Sequence, residues 1–410
     1  MKKKVVGIFV CTLLIATVLP ISAQLKINEI KNDYQTNLLN DSWYATYGGK
    51  GNDGFYAVQQ APDGGYVAAG LTNSIGAGSY DAWLVKTDSA GTPEWEKTFG
   101  GTGDDRFHQI QRLSDGYIIA GRSDGDIYVV KVDDDGNESW SRTYGGNKDD
   151  YAYGIWQTND TGYIVTGITE SYAPQDLYHM WVIKTDENGN EIWNETYGRD
   201  NYFSECKGAR QTSDGGYILT GQTWLLNEWC FWYLVKTDED GNELWNKTFE
   251  GTHDGVTVSI EETADGDFII SGSKGPLILG IVGCNAWLIK IDIHGNIEFE
   301  KQYGYKLISD TFWCAIQTDD GGYIGTGSRL GLGSLLNIQL PWFPLWSKIC
   351  VLKVDADGNQ EWGGSPPRNG VGRFIRQTSD DGYIVSGYTR NYPNFGDGVL
   401  FTIDSEGNFP

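Results

Sequence analysis

Across 410 residues, 31 Lys and Arg stand against 55 Asp and Glu, a formal charge of −24. That balance excludes nucleic acid and anionic membrane surfaces as partners, because both need basic residues to supply the attraction. It favours solubility and attraction for cations.

The chain begins with Lys2, Lys3 and Lys4, an apolar run from Val5 to Leu19, and the small-residue end Ile21-Ser22-Ala23. This pattern reads as a secretory signal over residues 1–23, cleaved after Ala23. A retained N-terminal anchor is the alternative, although the apolar run is short for a full span. Cys11 lies inside the run with no cleavage box before it, which argues against a lipoprotein. The expected location is therefore secreted or cell-surface, with residues 24–42 as a linker.

From residue 43 onward the chain repeats a unit of roughly fifty residues seven times, beginning at Trp43, Trp95, Trp140, Trp193, Trp245, Phe299 and Trp362. A fixed period of this length signals an array of like supersecondary units. Four short strands are predicted in each. The first ends in Gln, as in Phe55 to Gln60, and an Asp-Gly-Gly turn follows, where Gly accepts the positive φ of a tight hairpin. The second is Tyr-Ile-Val-x-Gly, as at Tyr163 to Gly167, and the third Trp-Leu-Val-Lys-Thr-Asp, as at Trp83 to Asp88. An Asp-x-x-Gly-Asn turn, as at Asp133 to Asn137, leads to a fourth strand that starts at the anchor Trp and alternates at period two.

Four antiparallel strands per unit predict a β-propeller, all-β, with seven blades over residues 43–410. The chain opens with a lone fourth strand at Trp43 to Tyr47 and stops at Phe409-Pro410, where the next fourth strand would begin. The N-terminal strand is therefore expected to complete the last blade. The anchor Trp residues and the third-strand aromatics Trp83, Tyr128, Trp181, Tyr233 and Trp287 are expected between blades.

The Trp-x-x-Thr-Tyr-Gly-Gly and Gln-Thr-x-Asp-Gly-Gly-Tyr-Ile repeats resemble a large group of secreted bacterial and archaeal propeller proteins. Asp-x-x-Gly-Asn-x-x-Trp also looks like the quinoprotein-type propeller repeat. The resemblance spans the mature chain and implies the fold. It implies little about function, since the group is largely uncharacterised and some members carry hydrolase labels by association. It supplies no catalytic residue.

In such a blade the fourth-to-first and second-to-third loops share one face, and here they carry all the length variation, so that face is the candidate site. A partial ring of carboxylates precedes the first strands: Asp53, Asp105, Asp150, Asp254 and Asp310, with Glu205 near the equivalent place. These are candidates for a cation site or for acid/base work at the channel mouth. The competing reading is that each caps its own loop. No cofactor is expected, and calcium at this rim is the minor alternative. The second-to-third loops of units four to six are unusually apolar, at Thr223 to Trp229, Gly275 to Val282 and Leu330 to Trp346. Trp224, Trp229, Trp342, Phe343 and Trp346 are the candidate ligand-binding residues there, by sugar stacking or partner contact. Packing of the loops on one another is the competing account.

Asn40, Asn137, Asn159, Asn194 and Asn246 open N-x-Ser/Thr sequons. The five mature cysteines, Cys206, Cys230, Cys284, Cys314 and Cys350, are odd in number and lack any C-x-x-C spacing, which argues against zinc. The histidines His108, His179, His253 and His294 occupy unrelated repeat positions, and neither G-x-S-x-G nor a phosphate loop is present. The sequence thus favours a monomeric, extracellular, non-catalytic binding or scaffold propeller that engages a protein or glycan at the cell surface. The alternative is a carbohydrate-active hydrolase or lyase using rim carboxylates. Membrane contact through the 330–346 loop is opposed by the charge.

Overall fold

Two strand patterns decide the architecture. The second and third strands are buried along their whole length, as at Tyr66–Thr72 and Asp81–Thr87, whereas the outer strands alternate, as at Pro93–Phe99. A strand buried on both sides needs sheets on both faces, and an alternating one needs water on one side. Sheets stacked radially around an axis meet both demands.

The computed structural model describes residues 42–174, 177–225, 230–249, 257–275, 277–278, 281–282, 284–304, 309–330, 347–391 and 394–410, all within one compact unit. They form seven four-stranded antiparallel sheets, the blades of a β-propeller. Blade 1 is Asp53–Gln60, Tyr66–Thr72, Asp81–Thr87 and Pro93–Phe99; blade 4 is Phe203–Gln211, Tyr217–Trp224, Cys230–Thr237 and Glu243–Phe249. A two-residue hairpin, Leu277–Ile278 with Ile281–Val282, decorates the second-to-third loop of blade 5. Residues 1–41, with the expected signal and Asn40, lie outside the described residues.

Ring closure follows the expectation. Tyr44–Tyr47 pairs with Asn394–Ile403 in the register Tyr44↔Phe401 to Tyr47↔Gly398, giving blade 7 its outer strand. The Trp43 amide donates to Thr402 Oγ1 at 2.9 Å. Across the same seam, the Ser379 amide donates to Gln60 Oε1 at 2.9 Å. That staple recurs elsewhere, with Gln211 accepting from Asn159 and Gln317 from Ala264 of the preceding blade. The Gln that ends the first strand is thus a blade-to-blade link at Gln60, Gln211, Gln317 and Gln377.

The other repeat residues have similar duties. Each anchor Trp packs on the Gly of the next blade's Asp-x-x-Gly-Asn turn, as Trp43 on Gly91 and Trp140 on Gly189; φ is +81° at Gly91, and a Cβ there would sit 2.5 Å from the indole. The Tyr four residues on donates its hydroxyl to the same turn, at 2.7 Å from Tyr47 to the Gly91 carbonyl and 2.8 Å from Tyr303 to Gly358. The third-strand lysine is nearly inaccessible: Lys86 Nζ donates to Asp63 of the Asp-Gly-Gly turn at 2.7 Å, to the Thr87 carbonyl at 3.0 Å and to Glu94 at 2.6 Å. Lys184, Lys236, Lys290 and Lys353 repeat the arrangement. Within the Asp-x-x-Gly-Asn turn, Asp133 Oδ1 accepts the amides of Asp135 and Asn137, and the Asn137 side chain donates to Oδ2 at 3.0 Å. Hairpin chemistry therefore accounts for the turn.

One feature of the innermost strands was not anticipated. All seven carry a β-bulge at the same register, which leaves Tyr56, His108, Tyr153, Lys207, Val258, Trp313 and Arg373 unpaired. The glycine of Tyr-Ile-Val-x-Gly lies opposite; a Cβ at Gly70 would collide with the Gly54 carbonyl. Bulges re-aim side chains, and those of Tyr56, His108, Tyr153, Lys207, Trp313 and Arg373 turn toward the propeller axis.

Candidate functional site

The rim carboxylates come first, built from the loops they terminate. Asp53, Asp105, Asp150 and Asp310 occupy one register position, three residues before the bulge, and none is more than 2% exposed. Asp53 Oδ2 accepts the Gly49 amide at 2.9 Å and the Ser74 hydroxyl at 2.7 Å, while Oδ1 accepts Thr72. Asp150 accepts Gly146 N at 3.0 Å and Ser171 Oγ at 2.7 Å. Asp105 accepts Gly101 N at 2.8 Å, and Asp310 takes the Arg329 guanidinium at 2.7 Å. Asp53 and Asp150 thus join the Gly-Gly segment of their own fourth-to-first loop to the residues that follow the neighbouring strand, and Asp105 holds its own Gly-Gly segment.

Glu205 differs. The register puts Ser204, not Glu205, opposite Thr223, at the place Asp53 holds opposite Thr72. Glu205 instead accepts from Gln222 and pairs with Lys207 at 2.9 Å. Asp254 lies outside the described residues. A hydrogen-bond acceptor buried with three donors is costly to delete, so Asp53→Ala is expected to lose about 3 kcal/mol of stability. Urea unfolding would measure it, and an unchanged midpoint would remove the capping role.

Of the candidate aromatic residues, Trp229, Trp342, Phe343 and Trp346 also lie outside the described residues. Trp224 ends the second strand of blade 4 and is half-buried. It stacks on Phe203 (centroids 5.9 Å, 21°) and meets Tyr178 edge-on at 5.5 Å; Tyr178 and Phe203 are 4.9 Å apart. This trio sits at the base of the variable loops between blades 3 and 4. Trp232, by contrast, is fully buried against Trp287 at 4.1 Å. The sequons at Asn137, Asn159, Asn194 and Asn246 are exposed.

A third constellation lies on the axis. Six of the seven bulge residues line a cavity of about 120 Å³ with Gln109, Trp156, Arg210, Ser259, Ile260, Glu261 and Phe374. Arg373 lies between two rings, 4.1 Å from Trp313 and 4.7 Å from Tyr56. Lys207 Nζ stands 3.5 Å over Tyr153 and Arg210 4.0 Å over Trp156. Glu261 joins two guanidiniums, accepting Arg210 Nη2 at 2.5 Å and Arg376 Nη2 at 2.6 Å. Burial alone would raise the Glu261 carboxyl, and these two arginines more than reverse it, so it is held below the usual range and stays ionised. Burial pushes His108 down to about 3, with Arg373, Arg106 and Arg122 adding repulsion, so the ring is neutral near pH 7. Its Nδ1 donates to the Ala152 carbonyl at 2.7 Å, which leaves the lone pair on Nε2.

The sequence reading missed this channel because its members share a position and not a residue type. A signal was present. Once anchors, third strands and loops are subtracted, Trp156 and Trp313 are the tryptophans left without a duty, and the strand glycine of every unit marks a bulge. One acidic group, Asp265 with Asp267 and Glu298, has metal-like spacing. Its centre is taken by Lys290, which contacts all three at 2.5–3.1 Å.

The sequence matches no protein-family profile and no curated protein. Among solved structures, puromycin hydrolase aligns at 13% identity with a TM-score of 0.54 over 87% of this chain, which spans about half (52%) of that protein's length. The WD40 domain of Neurospora crassa Pan2 aligns at 8% identity and 0.51, covering 86% of this chain and 89% of the domain. A Bacteroides caccae protein of unknown function aligns at 9% and 0.43 over 72% of this chain and 93% of its own. The likeness to the first two shows a shared propeller fold and, at these identities, carries no activity across.

Proposed function

We propose that this chain is a non-catalytic binding or scaffold propeller of the cell exterior, engaging a protein or glycan through the face that bears the variable loops. The observation that carries the reading over a hydrolase is the placement of Asp53, Asp105 and Asp150. Each is buried and committed to a loop cap, whereas acid/base catalysis needs carboxylates open to substrate. The half-buried Tyr178–Phe203–Trp224 trio supports an aromatic contact surface on that face. Export by the N-terminal segment, a monomeric state, a quinoprotein-type origin of the repeat and the lack of a cofactor belong to the same proposal.

A glycan-array and polysaccharide screen on the full chain, paired with a Tyr178→Ala/Trp224→Ala variant, tests it. Truncating a central aromatic contact costs more than about 1 kcal/mol, so binding is expected to fall roughly tenfold. Release of reducing sugar from a bound polysaccharide would instead establish the hydrolase. Glycan binding that survives in the variant would move the contact away from this trio.

A further inference from the structure

We propose that the middle of the channel binds a small planar carboxylate, an aromatic acid of about ten non-hydrogen atoms. The size comes from the cavity: about 120 Å³, at roughly 10–15 Å³ per water-sized occupant. The flat body is suggested by the walls, since Tyr56, Tyr153, Trp156 and Trp313 are rings that reward stacking and offer a tetrahedral anion little.

The charge comes from a count of partners. Lys207, Arg210, Arg373 and Arg376 converge on the axis against Glu205 and Glu261, an excess of two positive charges inside a chain of net −24. Three of the four cations are satisfied: Lys207 by Glu205, Arg210 and Arg376 by Glu261. Arg373 is not. Its guanidinium is flanked by Trp313 and Tyr56, and among the described residues it makes no ion pair or hydrogen bond. Cation–π contact offsets part of the desolvation of that group and leaves its N–H fork unused. A carboxylate satisfies a planar fork with two parallel bonds, which a lone ammonium could not offer.

Access is available from the Asp-Gly-Gly side. The cavity shares Gln109, Trp156, Arg210 and Glu261 with a wider polar space of about 550 Å³ that reaches the turns at Thr158 and Thr212. This is the face opposite the variable loops, so the channel site stands whether or not the loop face binds a macromolecule.

Benzoate is the probe, titrated into the full chain by calorimetry and by tryptophan emission, since Trp156 and Trp313 line the cavity. Saturable binding is expected, with the neutral isostere benzamide at least tenfold weaker. Arg373→Gln should weaken benzoate about tenfold to hundredfold, the range for a charge-assisted pair. Arg373→Lys, which keeps the charge and loses the fork, should fall between Gln and the parent and serves if the Gln variant does not fold. Thermal unfolding of each variant identifies folded protein. The proposal is overturned if the parent chain shows no saturable benzoate binding, if benzamide binds equally, or if either folded Arg373 variant binds like the parent. Inorganic phosphate competing as strongly as benzoate would overturn the planar class.

Discussion

Trp43→Ala is expected to lower stability by about 3–5 kcal/mol, which for a domain of this size corresponds to about 4–6 °C in Tm. The indole is 4% exposed, rests on Gly91, donates to the Ser89 carbonyl at 2.9 Å and packs on Tyr66 at 5.8 Å. The contacts with glycine and tyrosine recur around the ring, as Trp140 on Gly189 and Tyr163, but Trp140 is only half-buried, so burial alone makes Trp43→Ala the costlier change and a second difference decides where protection is lost. The difference is topological. Trp43 leads the strand that reaches blade 7 from the other end of the chain, and loosening it bares the edge of Asn394–Ile403. Amide exchange should therefore quicken at Val399–Phe401 in Trp43→Ala and not in Trp140→Ala. Equal protection in both variants would show that the clasp adds nothing beyond ordinary packing.

Glu261→Gln should cost about 3 kcal/mol. The carboxylate, 18% exposed to the channel, ties the innermost strands of blades 4, 5 and 7, through Arg210, its own strand and Arg376. The amide keeps the shape and removes the charge, leaving two guanidiniums facing each other without an anion. Acid should mimic the substitution. Because folding depresses the Glu261 pKa below its usual 4.5, the contribution is fully present above that value and is lost as pH falls through the lower folded value. Asp265, bonded to Lys290 and Thr263, and Asp320, where burial is outweighed by Lys353, Thr318 and the Gly322 amide together, are both held near 2 and titrate in the same acidic window. Stability is thus expected to decline below about pH 4.5, with a shallower decline in Glu261→Gln. Parallel acid curves for parent and variant would remove Glu261 from that account.

Much of the fold was legible because the repeat's identical residues do local or blade-to-blade work. Trp140, Tyr144, Gln211 and Asp133 each act on the next turn or on their own, so a unit repeated seven times specifies seven such joints. The capping alternative for Asp53, Asp105 and Asp150 was readable for a related reason: a residue that recurs in most blades serves the scaffold. Glu205, read as near the equivalent place, lies one residue from it, because strand register and not sequence spacing decides which side chain lies opposite Thr223.

The sequence by itself determined the blade number, the turn chemistry and the clasp at Trp43 to Tyr47, since each rests on short-range patterns of glycine, aspartate and alternating apolar residues. Only the tertiary structure decided what meets on the axis. Tyr56, His108, Tyr153, Lys207, Trp313 and Arg373 come from six blades, are of five residue types, and are brought together by a bulge that shifts each strand's alternation by one. Period-two reading cannot follow a side chain through such a shift. Convergence at the axis is a property of closing the ring, and no segment of the chain contains it.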